Sequence, residues 1–448
     1  MKGCCLLGFI ACFLIAVPGR GQSFEWVERL DVAPVWSGCP VGFAMLTHSN
    51  RQFLAYYNAE RGMTLAQREL NTNAWTFVEL PSKLEWDSHN YVTMAVDEAG
   101  YVHVSGNMHC VPLVYFRSEK PLDIRTMRPV HRMTGEREKR VTYPKFLKGP
   151  DGSLVFTYRD GRSGDGVQIW NRYDCAAQRW TRLLDVPLFD GQGRMNAYPQ
   201  GPVLGKDGFY HLTWMWRDTP ACETCHDISY IRSRDLKHWE NAFGKPLELP
   251  VRLGSDVVVD PVPIKGGLIN PCQAVGFDAQ GRVIVTYTKY DAAGNLQLMN
   301  ARCEGGSWKR HQTSDWSYRW AFSGGGSING EVGVGPVEVQ NGLLAQSYAH
   351  AKFGGGRWQL DDTTLKPAGK LKNPVQWPAV LGRKENAAPG MGLRQAADSV
   401  ADLESGKSMD GYVYRACWES LPANRDRPQP GGVPAPSKLR VYKMKVAD

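Results

Sequence analysis

Hydrophobic and polar residues alternate along most of the chain in short stretches that are separated by polar turns. The clearest unit is a pair of such stretches joined by a turn ending in glycine, as in VTMAVDEAGYVHVSG around Gly100. Strict alternation predicts β-strands, and an Asp- or Asn-containing turn with Gly predicts a hairpin because Gly adopts positive φ without steric cost. Further hairpins of this kind are centred on Gly152, Gly208, Gly281 and Gly342.

The hairpins recur at intervals of 52 to 73 residues, and most are followed by a further strand, a polar turn and a tryptophan. The tryptophans in question are Trp75, Trp180, Trp239, Trp308 and Trp358. About four strands per repeat, with a Trp on the outer strand, are typical of the blade of a β-propeller. A related unit at each end brings the count to about seven. The pattern therefore predicts an all-β fold, a single seven-bladed β-propeller.

The last strand, Leu439–Val446, follows a loop rich in Pro and Gly over Arg425–Pro436. We expect this strand to complete a blade with N-terminal strands and so to close the ring. A β-sandwich would not repeat five similar hairpins at this period, and the repeats of a β-helix are shorter. The pattern indicates no second domain, so residues 22–448 are predicted to form one catalytic propeller domain.

The first 21 residues have a different character. Lys2 is followed by an apolar run, Cys4–Val17, and then by Pro18, Gly19, Arg20 and Gly21. This order predicts a secretory signal peptide over residues 1–21, with cleavage near Gly21. No other segment approaches the 18 apolar residues of a membrane span. We therefore expect a secreted or periplasmic protein without a membrane span.

Composition narrows the class further. Hydrophobic residues make up 42% of the chain and aromatic residues 11%, which suffices for a large core and excludes disordered, coiled-coil and collagen-like chains. The net charge of +8 is accompanied by no basic run and no recognition motif, so nucleic acid is not an expected partner. We expect the protein to act as a monomer.

The repeat also predicts where functional side chains gather. The start of a hairpin's first strand and the end of its second lie at the same end, which in a propeller is near the central funnel. Three consecutive units place polar residues there: His89 with His109, Tyr143 with Arg159, and Tyr198 with Arg217. No Asp or Glu stands among these six. His103 and His211 lie in mid-strand, and we interpret them as structural core histidines.

A rim of cationic and phenolic donors suits an anionic ligand and stabilises developing negative charge. In a uronic acid sugar, removal of the C5 proton builds charge on the carboxylate, and Arg and His neutralise it while His or Tyr transfers protons. The sequence thus favours β-elimination of an anionic polysaccharide. Arg162, in the Gly-rich segment that follows Arg159, is a further candidate substrate ligand. Hydrolysis by the usual route needs two facing carboxylates, which the pattern does not provide.

Three segments carry a resemblance to a known family. SHNYVTMAVDEAGYVHVSGNMH, TYPKFLKGPDGSLVFTYRDGRSGDG and AYPQGPVLGKDGFYHLTWMWR resemble exported BNR-repeat proteins, and among them the seven-bladed ulvan lyases. The resemblance implies β-elimination at a uronic acid of a sulfated, rhamnose-containing algal polysaccharide. It implies catalytic roles for His89 and Tyr143, for which we predict base and acid respectively. It also implies that His109, Arg159 and Tyr198 contact the substrate carboxylate.

Two further functions stay open. A sialidase-like or other propeller glycoside hydrolase, and a non-catalytic glycan-binding propeller, would both fit the fold. Cys222-Glu-Thr-Cys225-His226 has the spacing of a c-type haem attachment site, but nothing nearby suggests a haem pocket. A Cys222–Cys225 disulfide, or a structural metal held with His226 or Cys272, is the alternative. No cofactor is expected to be required for catalysis.

Overall fold

The computed structural model describes residues 22–254, 256–385, 387–399 and 408–447. The predicted signal peptide, residues 1–21, lies outside the described residues. Within them the regular secondary structure is almost all β-strand, and the helical turns are short 3₁₀ segments at Ile124–Thr126, Cys222–Thr224 and Ala379–Gly382. The predicted all-β class is confirmed. None of the described helical segments has the length and apolar character needed to cross a membrane.

Thirty-one strands are present in the described part of the chain. The first sixteen are β1 (Gln22–Val35), β2 (Ala44–His48), β3 (Arg51–Tyr57), β4 (Gly62–Glu69), β5 (Thr76–Lys83), β6 (Val92–Val96), β7 (Val102–Gly106), β8 (His109–Val111), β9 (Tyr115–Ser118), β10 (Met127–Pro129), β11 (Val141–Lys148), β12 (Leu154–Arg162), β13 (Asp165–Asp174), β14 (Arg179–Arg182), β15 (Asn196–Leu204) and β16 (Tyr210–Arg217). The others are β17 (Cys225–Ser233), β18 (Trp239–Glu240), β19 (Val258–Asp260), β20 (Gln273–Phe277), β21 (Val283–Tyr290), β22 (Leu296–Glu304), β23 (Ser307–Gln312), β24 (Val332–Gln340), β25 (Leu343–His350), β26 (Gly354–Leu360), β27 (Pro367–Lys370), β28 (Val375–Gln376), β29 (Gly392–Ala397), β30 (Val413–Ser420) and β31 (Ser437–Val446).

These strands form seven sheets of four or five strands, almost all of them antiparallel. We number the sheets along the chain. Sheet 1 contains β2 to β5, sheet 2 contains β6, β7, β9 and β10, and sheet 3 contains β8 and β11 to β14. Sheet 4 contains β15 to β18 with β19 beside β17, sheet 5 contains β20 to β23, and sheet 6 contains β24 to β27. Sheet 7 has the order β28-β1-β31-β30-β29 and so combines both ends of the described chain.

The five predicted hairpins are confirmed. The strand pairs β6–β7, β11–β12, β15–β16, β20–β21 and β24–β25 are antiparallel neighbours. The glycine in each turn has φ between 76° and 86°, the left-handed region that Gly enters most readily. The prediction for the outer tryptophans holds only in part. Trp180, Trp239 and Trp308 lie on fourth strands, but Trp75 precedes β5 and Trp358 lies on the third strand of its sheet.

Consecutive sheets pack through their first strands. β2 contacts β6 of the next sheet and β29 of sheet 7, and β20 contacts β15 and β24. Between sheets 5 and 6 the approach is so close that a Cβ at Gly276 would meet the Val337 carbonyl oxygen at 2.1 Å. The predicted pairing of the last strand is confirmed, because β31 runs antiparallel to β1 over its whole length. The result is a propeller-like arrangement in which the first strands of neighbouring sheets lie against one another.

Candidate functional site

Tyr143 lies in a distorted part of β11. The register of β11 against β12 shifts between Thr142 and Lys145, and Tyr143 has a φ of 57°. Positive φ is uncommon for a residue with a side chain, and such strain is maintained where the surrounding structure fixes it. Tyr91 contributes to that fixation, since its hydroxyl donates to the Pro144 carbonyl at 3.0 Å. The shift in register is a β-bulge, and the Tyr143 ring at this bulge lies beside those of His89 and Tyr198.

His109 reaches the same place by leaving its own hairpin. β7 ends at Gly106, and the next strand, β8, pairs with β11 of sheet 3, where His109 lies opposite Thr142. The backbone N–H of Cys110 donates to Thr142 Oγ1 at 2.8 Å and holds this crossing. The centroid of the His109 ring is therefore 6.5 Å from that of Tyr143. The hairpin pattern predicts His109 at the end of the second strand of its hairpin. In the structure His109 lies beyond that strand, in β8.

Asp87 joins the two histidines. Its Oδ1 accepts from the Nδ1 of His89 at 2.7 Å and from the backbone N–H of His89 at 2.8 Å. Its Oδ2 accepts from the Nδ1 of His109 at 2.5 Å. Because both rings are fixed through the same carboxylate, their centroids lie only 4.4 Å apart. In each ring Nε2 is the nitrogen not used in binding Asp87.

A second carboxylate approaches His89 from a distant part of the chain. Asp426 Oδ2 lies 3.4 Å from His89 Nδ1, and Ser327 Oγ lies 3.3 Å from the same nitrogen. Burial alone would lower the pKa of His89, but hydrogen bonding to Asp426 and Asp87 and their negative charges outweigh burial and raise it to about 9. Burial opposes ionisation of Asp87, yet hydrogen bonds from His109 and His89 hold its pKa far below the usual range.

On the other side of Tyr143 the cluster is cationic. Arg159 is buried, and its Cζ lies 5.0 Å from the centroid of the Tyr143 ring and 6.0 Å from that of Tyr198. Its Nη1 donates to the Tyr198 hydroxyl at 3.4 Å, while its buried Nε and Nη2 make no hydrogen bond to the described residues. Buried donors of this kind are costly to leave unpaired. The two unpaired N–H groups of Arg159 can therefore donate to an anionic group such as a carboxylate.

Tyr198 and Arg217 extend this side. The hydroxyl of Tyr198 is hydrogen-bonded to Ser163 Oγ at 2.7 Å, and the Arg217 guanidinium lies 5.1 Å from the Tyr198 ring centroid. Arg217 is fixed by Asn270 and by backbone carbonyls, including that of Thr219 at 3.1 Å. Burial raises the pKa of Tyr143, as does neighbouring Tyr198, while the positive charges of Arg159 and Arg217 oppose the rise.

The structure brings six of the seven predicted site residues together. They are His89, His109, Tyr143, Arg159, Tyr198 and Arg217. Arg162 is different, because its side chain is 73% exposed and its ion-pair partner is Asp165 at 4.0 Å. None of these six residues is a carboxylate, but two carboxylates that the sequence pattern did not place there, Asp87 and Asp426, both contact His89. Asp87 could have been found from its position two residues before His89, whereas nothing in the local sequence marks Asp426.

The structural histidines are confirmed as such. His103 is fully buried between Asp97 and the Tyr115 hydroxyl, and His211 bridges Asp207 and the Tyr230 hydroxyl in the equivalent strand of sheet 4. Burial lowers the pKa of both imidazoles, although the aspartates oppose the change. Neutral, buried and doubly hydrogen-bonded rings of this kind contribute to the core rather than to chemistry.

Possible metal ligands occur at the site and at the Cys222 motif. Ligand atoms of Asp87, His89 and His109 lie within 4.8 Å of one another, but they already satisfy one another through hydrogen bonds, so we assign no metal to them. Cys222 and Cys225 are free thiols, so the structure does not contain the disulfide considered above. His226 is hydrogen-bonded on both ring nitrogens by Asp218 and Asp227 rather than by a thiol.

The fold and the cluster define a class: an all-β, propeller-like protein with two carboxylate-linked histidines, two tyrosines and two arginines at one site. The particular family follows from the sequence. Residues 51–316 match the family described as BNR repeat-containing family member, and the chain belongs to this family.

The chain is also similar to characterised proteins. The long-isoform ulvan lyase of Alteromonas sp is 24% identical in an alignment covering 54% of this chain and 30% of the relative. The short isoform of Alteromonas sp. (strain LOR) is 38% identical over 61 residues, which are 14% of this chain and 12% of the relative. The chain thus spans less than a third of the length of these curated relatives.

Two solved structures resemble the whole described fold. Polysaccharide lyase Uly1 superposes with a TM-score of 0.59 at 14% identity, covering 93% of this chain and 99% of that chain. A PL25 ulvan lyase bound to -[GlcA(1-4)Rha3S]- superposes with a TM-score of 0.61 at 13% identity, covering 92% and 95%. At this level of identity the similarity establishes the fold.

Proposed function

We propose that the protein is a polysaccharide lyase that cleaves a uronic-acid-containing polysaccharide by β-elimination. The observation that carries the proposal is the juxtaposition of Tyr143 with the Asp87-linked histidines on one side and the unpaired Arg159 guanidinium on the other. Elimination needs a strong base, a proton donor and a cation for the substrate carboxylate. The cluster supplies all three within the reach of one sugar ring.

His89 is the base in this proposal. A proton at C5 of a uronate is only weakly acidic even when the carboxylate is neutralised, and a base of high pKa is therefore advantageous. Asp87 and Asp426 make the His89 imidazole such a base. Its Nε2 takes the C5 proton, the electron pair of that C–H bond forms the C4–C5 double bond, and the bond from C4 to the glycosidic oxygen breaks.

Tyr143 then protonates the departing oxygen. The raised pKa of its phenol keeps the proton in place until the leaving oxygen develops charge. Arg159, with His109 and Tyr198, binds and neutralises the carboxylate, which stabilises the enolate-like charge of the transition state. Arg217 and the exposed Arg162 are the remaining proposed substrate ligands. All of these groups come from the protein, so the proposed reaction requires no cofactor.

Hydrolysis is the second candidate, because the site does contain two carboxylates, Asp87 and Asp426. A glycosidase of the usual type needs one carboxyl group that retains its proton as an acid. Here burial alone would raise the pKa of each group, but hydrogen bonds from the histidines hold both below the usual value. Both carboxylates also face His89 Nδ1 rather than an open space between them. The arrangement therefore favours elimination. A purely glycan-binding protein would not need an imidazole of raised basicity.

For the substrate we propose an ulvan-like, sulfated polysaccharide. Support comes from the ulvan lyases among the relatives and from the structure bound to -[GlcA(1-4)Rha3S]-. We also propose that residues 22–448 form one seven-bladed propeller, and the presence of seven sheets in the described residues supports this count. We further propose that the signal peptide, residues 1–21, is cleaved and that the exported protein is a monomer. A structural metal held by Cys222 or Cys225 with His226 or Cys272 is also part of the proposal, and metal analysis of the purified protein tests it.

The test is incubation with a panel of uronate polysaccharides, followed by ultraviolet absorbance and by reducing-end analysis. Elimination creates a conjugated double bond for each new reducing end, and we expect the two signals to rise together with ulvan. New reducing ends without absorbance would indicate hydrolysis. Neither signal with retained binding would indicate a glycan-binding protein.

A further inference from the structure

The loop between β30 and β31 is fastened to the segment that precedes β24. Arg425 donates from Nη1 to the carbonyls of Ser323 and Gly325 at 2.7 and 3.0 Å. Its backbone N–H donates to the Ser327 carbonyl at 3.1 Å. Arg425 and Asp426 have φ values of 55° and 59°, two consecutive residues with side chains in the left-handed region. Strain of this kind is maintained only where the surroundings impose it, and it clusters at functional positions.

The conformation of this loop brings Asp426 to His89. Asp426 Oδ2 accepts from the backbone N–H of Ser327 at 2.9 Å and lies 3.4 Å from His89 Nδ1. The Ser327 hydroxyl contacts that of Ser88 and lies 3.3 Å from His89 Nδ1. The Asp426 side chain is only 14% exposed, so its charge acts on the histidine with little screening by water.

We propose that Asp426 and Ser327 are positioning residues for His89. The loop between β30 and β31 and the segment before β24 thereby complete a site whose other members lie in sheets 3 and 4 and in the segment between β5 and β6. This inference rests on the proposed lyase function. Both residues lie outside the segment 51–316 that matches the family. The positioning of His89 by Asp426 and Ser327 is therefore a feature of this chain outside the matched segment.

The contacts indicate what the pair does. His89 Nδ1 faces two carboxylates and one hydroxyl, those of Asp87, Asp426 and Ser327. The other titratable groups against its ring are His109 and Tyr143. The single N–H at Nδ1 donates to Asp87 at 2.7 Å, and Ser327 Oγ and Asp426 Oδ2 lie at 3.3 and 3.4 Å, so this side of the ring is held and Nε2 is left for the substrate proton. Asp426 thereby adds orientation and basicity to what Asp87 alone provides.

The test compares Asp426→Asn with Ser327→Ala and with the control Asp410→Asn. Asp410 is also a carboxylate of the C-terminal region, but it binds Tyr414 and Lys443 instead of a histidine. The titration of His89 is measured by NMR in the free protein, and kcat and KM are measured against pH. We expect Asp426→Asn to lower the apparent pKa of His89 by about one pH unit. Ser327→Ala should lower kcat with KM unchanged, and Asp410→Asn should alter neither readout.

Thermal unfolding identifies any variant that fails to fold, and Ser327→Ala provides the test if Asp426→Asn is such a case. An unchanged His89 titration in a folded Asp426→Asn protein, or an unchanged kcat in Ser327→Ala, would overturn the inference. The NMR readout does not depend on turnover. Failure of the proposed lyase function would instead appear as wild-type protein without elimination activity, whatever the titration shows.

Discussion

Replacing Asp87 by Asn removes the charge that both histidines share while keeping the shape of the side chain. In the wild type the pKa of His89 rises from 6.5 to about 9. That difference corresponds to about 3 kcal/mol in favour of the protonated folded state. Asp87 at 2.7 Å is closer to His89 than Asp426 at 3.4 Å. Because the hydrogen bond to Asp426 also contributes strongly, we assign to Asp87 somewhat more than half of the effect, about 2 kcal/mol.

The sign of the stability effect follows from linkage. A folded pKa above the unfolded value means stabilisation that is complete below pH 6.5 and is lost as the pH rises through about 9. Urea unfolding should show Asp87→Asn to be less stable than the wild type by about 2 kcal/mol near pH 6, and the difference should nearly vanish by about pH 10. A difference independent of pH would refute the assigned interaction.

Activity should change in the same direction as the basicity of His89. The rate of the wild type should rise with pH up to about 9 as His89 loses its proton. In Asp87→Asn the rising part of the pH–rate profile should move to lower pH by about 1.5 units. Its limiting rate at high pH should be lower by about tenfold because the base is weaker. Asp97→Asn is the matched control, because Asp97 binds His103 in the core at 3.0 Å. The control should lose stability and retain the pH profile of the wild type.

Three further changes address the remaining groups. Tyr143→Phe should lower kcat by about 10³-fold with unchanged thermal unfolding, because it removes only the proton donor; near-normal turnover would exclude the assigned role. Arg159→Lys should reduce kcat/KM by about 10²-fold, since an ammonium cannot reproduce the guanidinium fork between two tyrosine rings; an equal kcat/KM would contradict carboxylate binding there. Extensive treatment with a chelator should leave elimination unchanged, whereas lost activity that returns with added metal would contradict the proposal that the reaction requires no cofactor.

The glycines in the hairpin turns allowed the hairpins to be predicted from the sequence. Gly100, Gly152 and Gly208 each end a short polar turn between alternating strands, so local pattern alone located three sheets and the hairpin ends at which Tyr143 and Arg159 gather. The pairing of β31 with β1 was also predictable, since an isolated final strand must find a partner. These features depend on periodicity and turn chemistry, which the sequence displays directly.

Other parts of the site depend on tertiary structure. His109 joins sheet 3 through a crossing that its hairpin pattern did not indicate. Asp426 lies more than 300 residues from His89 in a loop whose Pro and Gly content suggested only a connection. The distinction between His89 and the core residue His103 was predictable from their positions along the strands, and the structure adds its physical basis, since both histidines bind an aspartate. His103 is enclosed by the core, whereas His89 is partly accessible and faces a tyrosine and a second carboxylate.

The central claim is that this site eliminates rather than hydrolyses or merely binds. The most direct measurement is the ultraviolet absorbance of the products formed from ulvan by the wild type, with Tyr143→Phe as the inactive control. The account predicts an absorbance increase equal to one unsaturated uronate for each new reducing end, absent in the control. New reducing ends that carry no unsaturated uronate would contradict it.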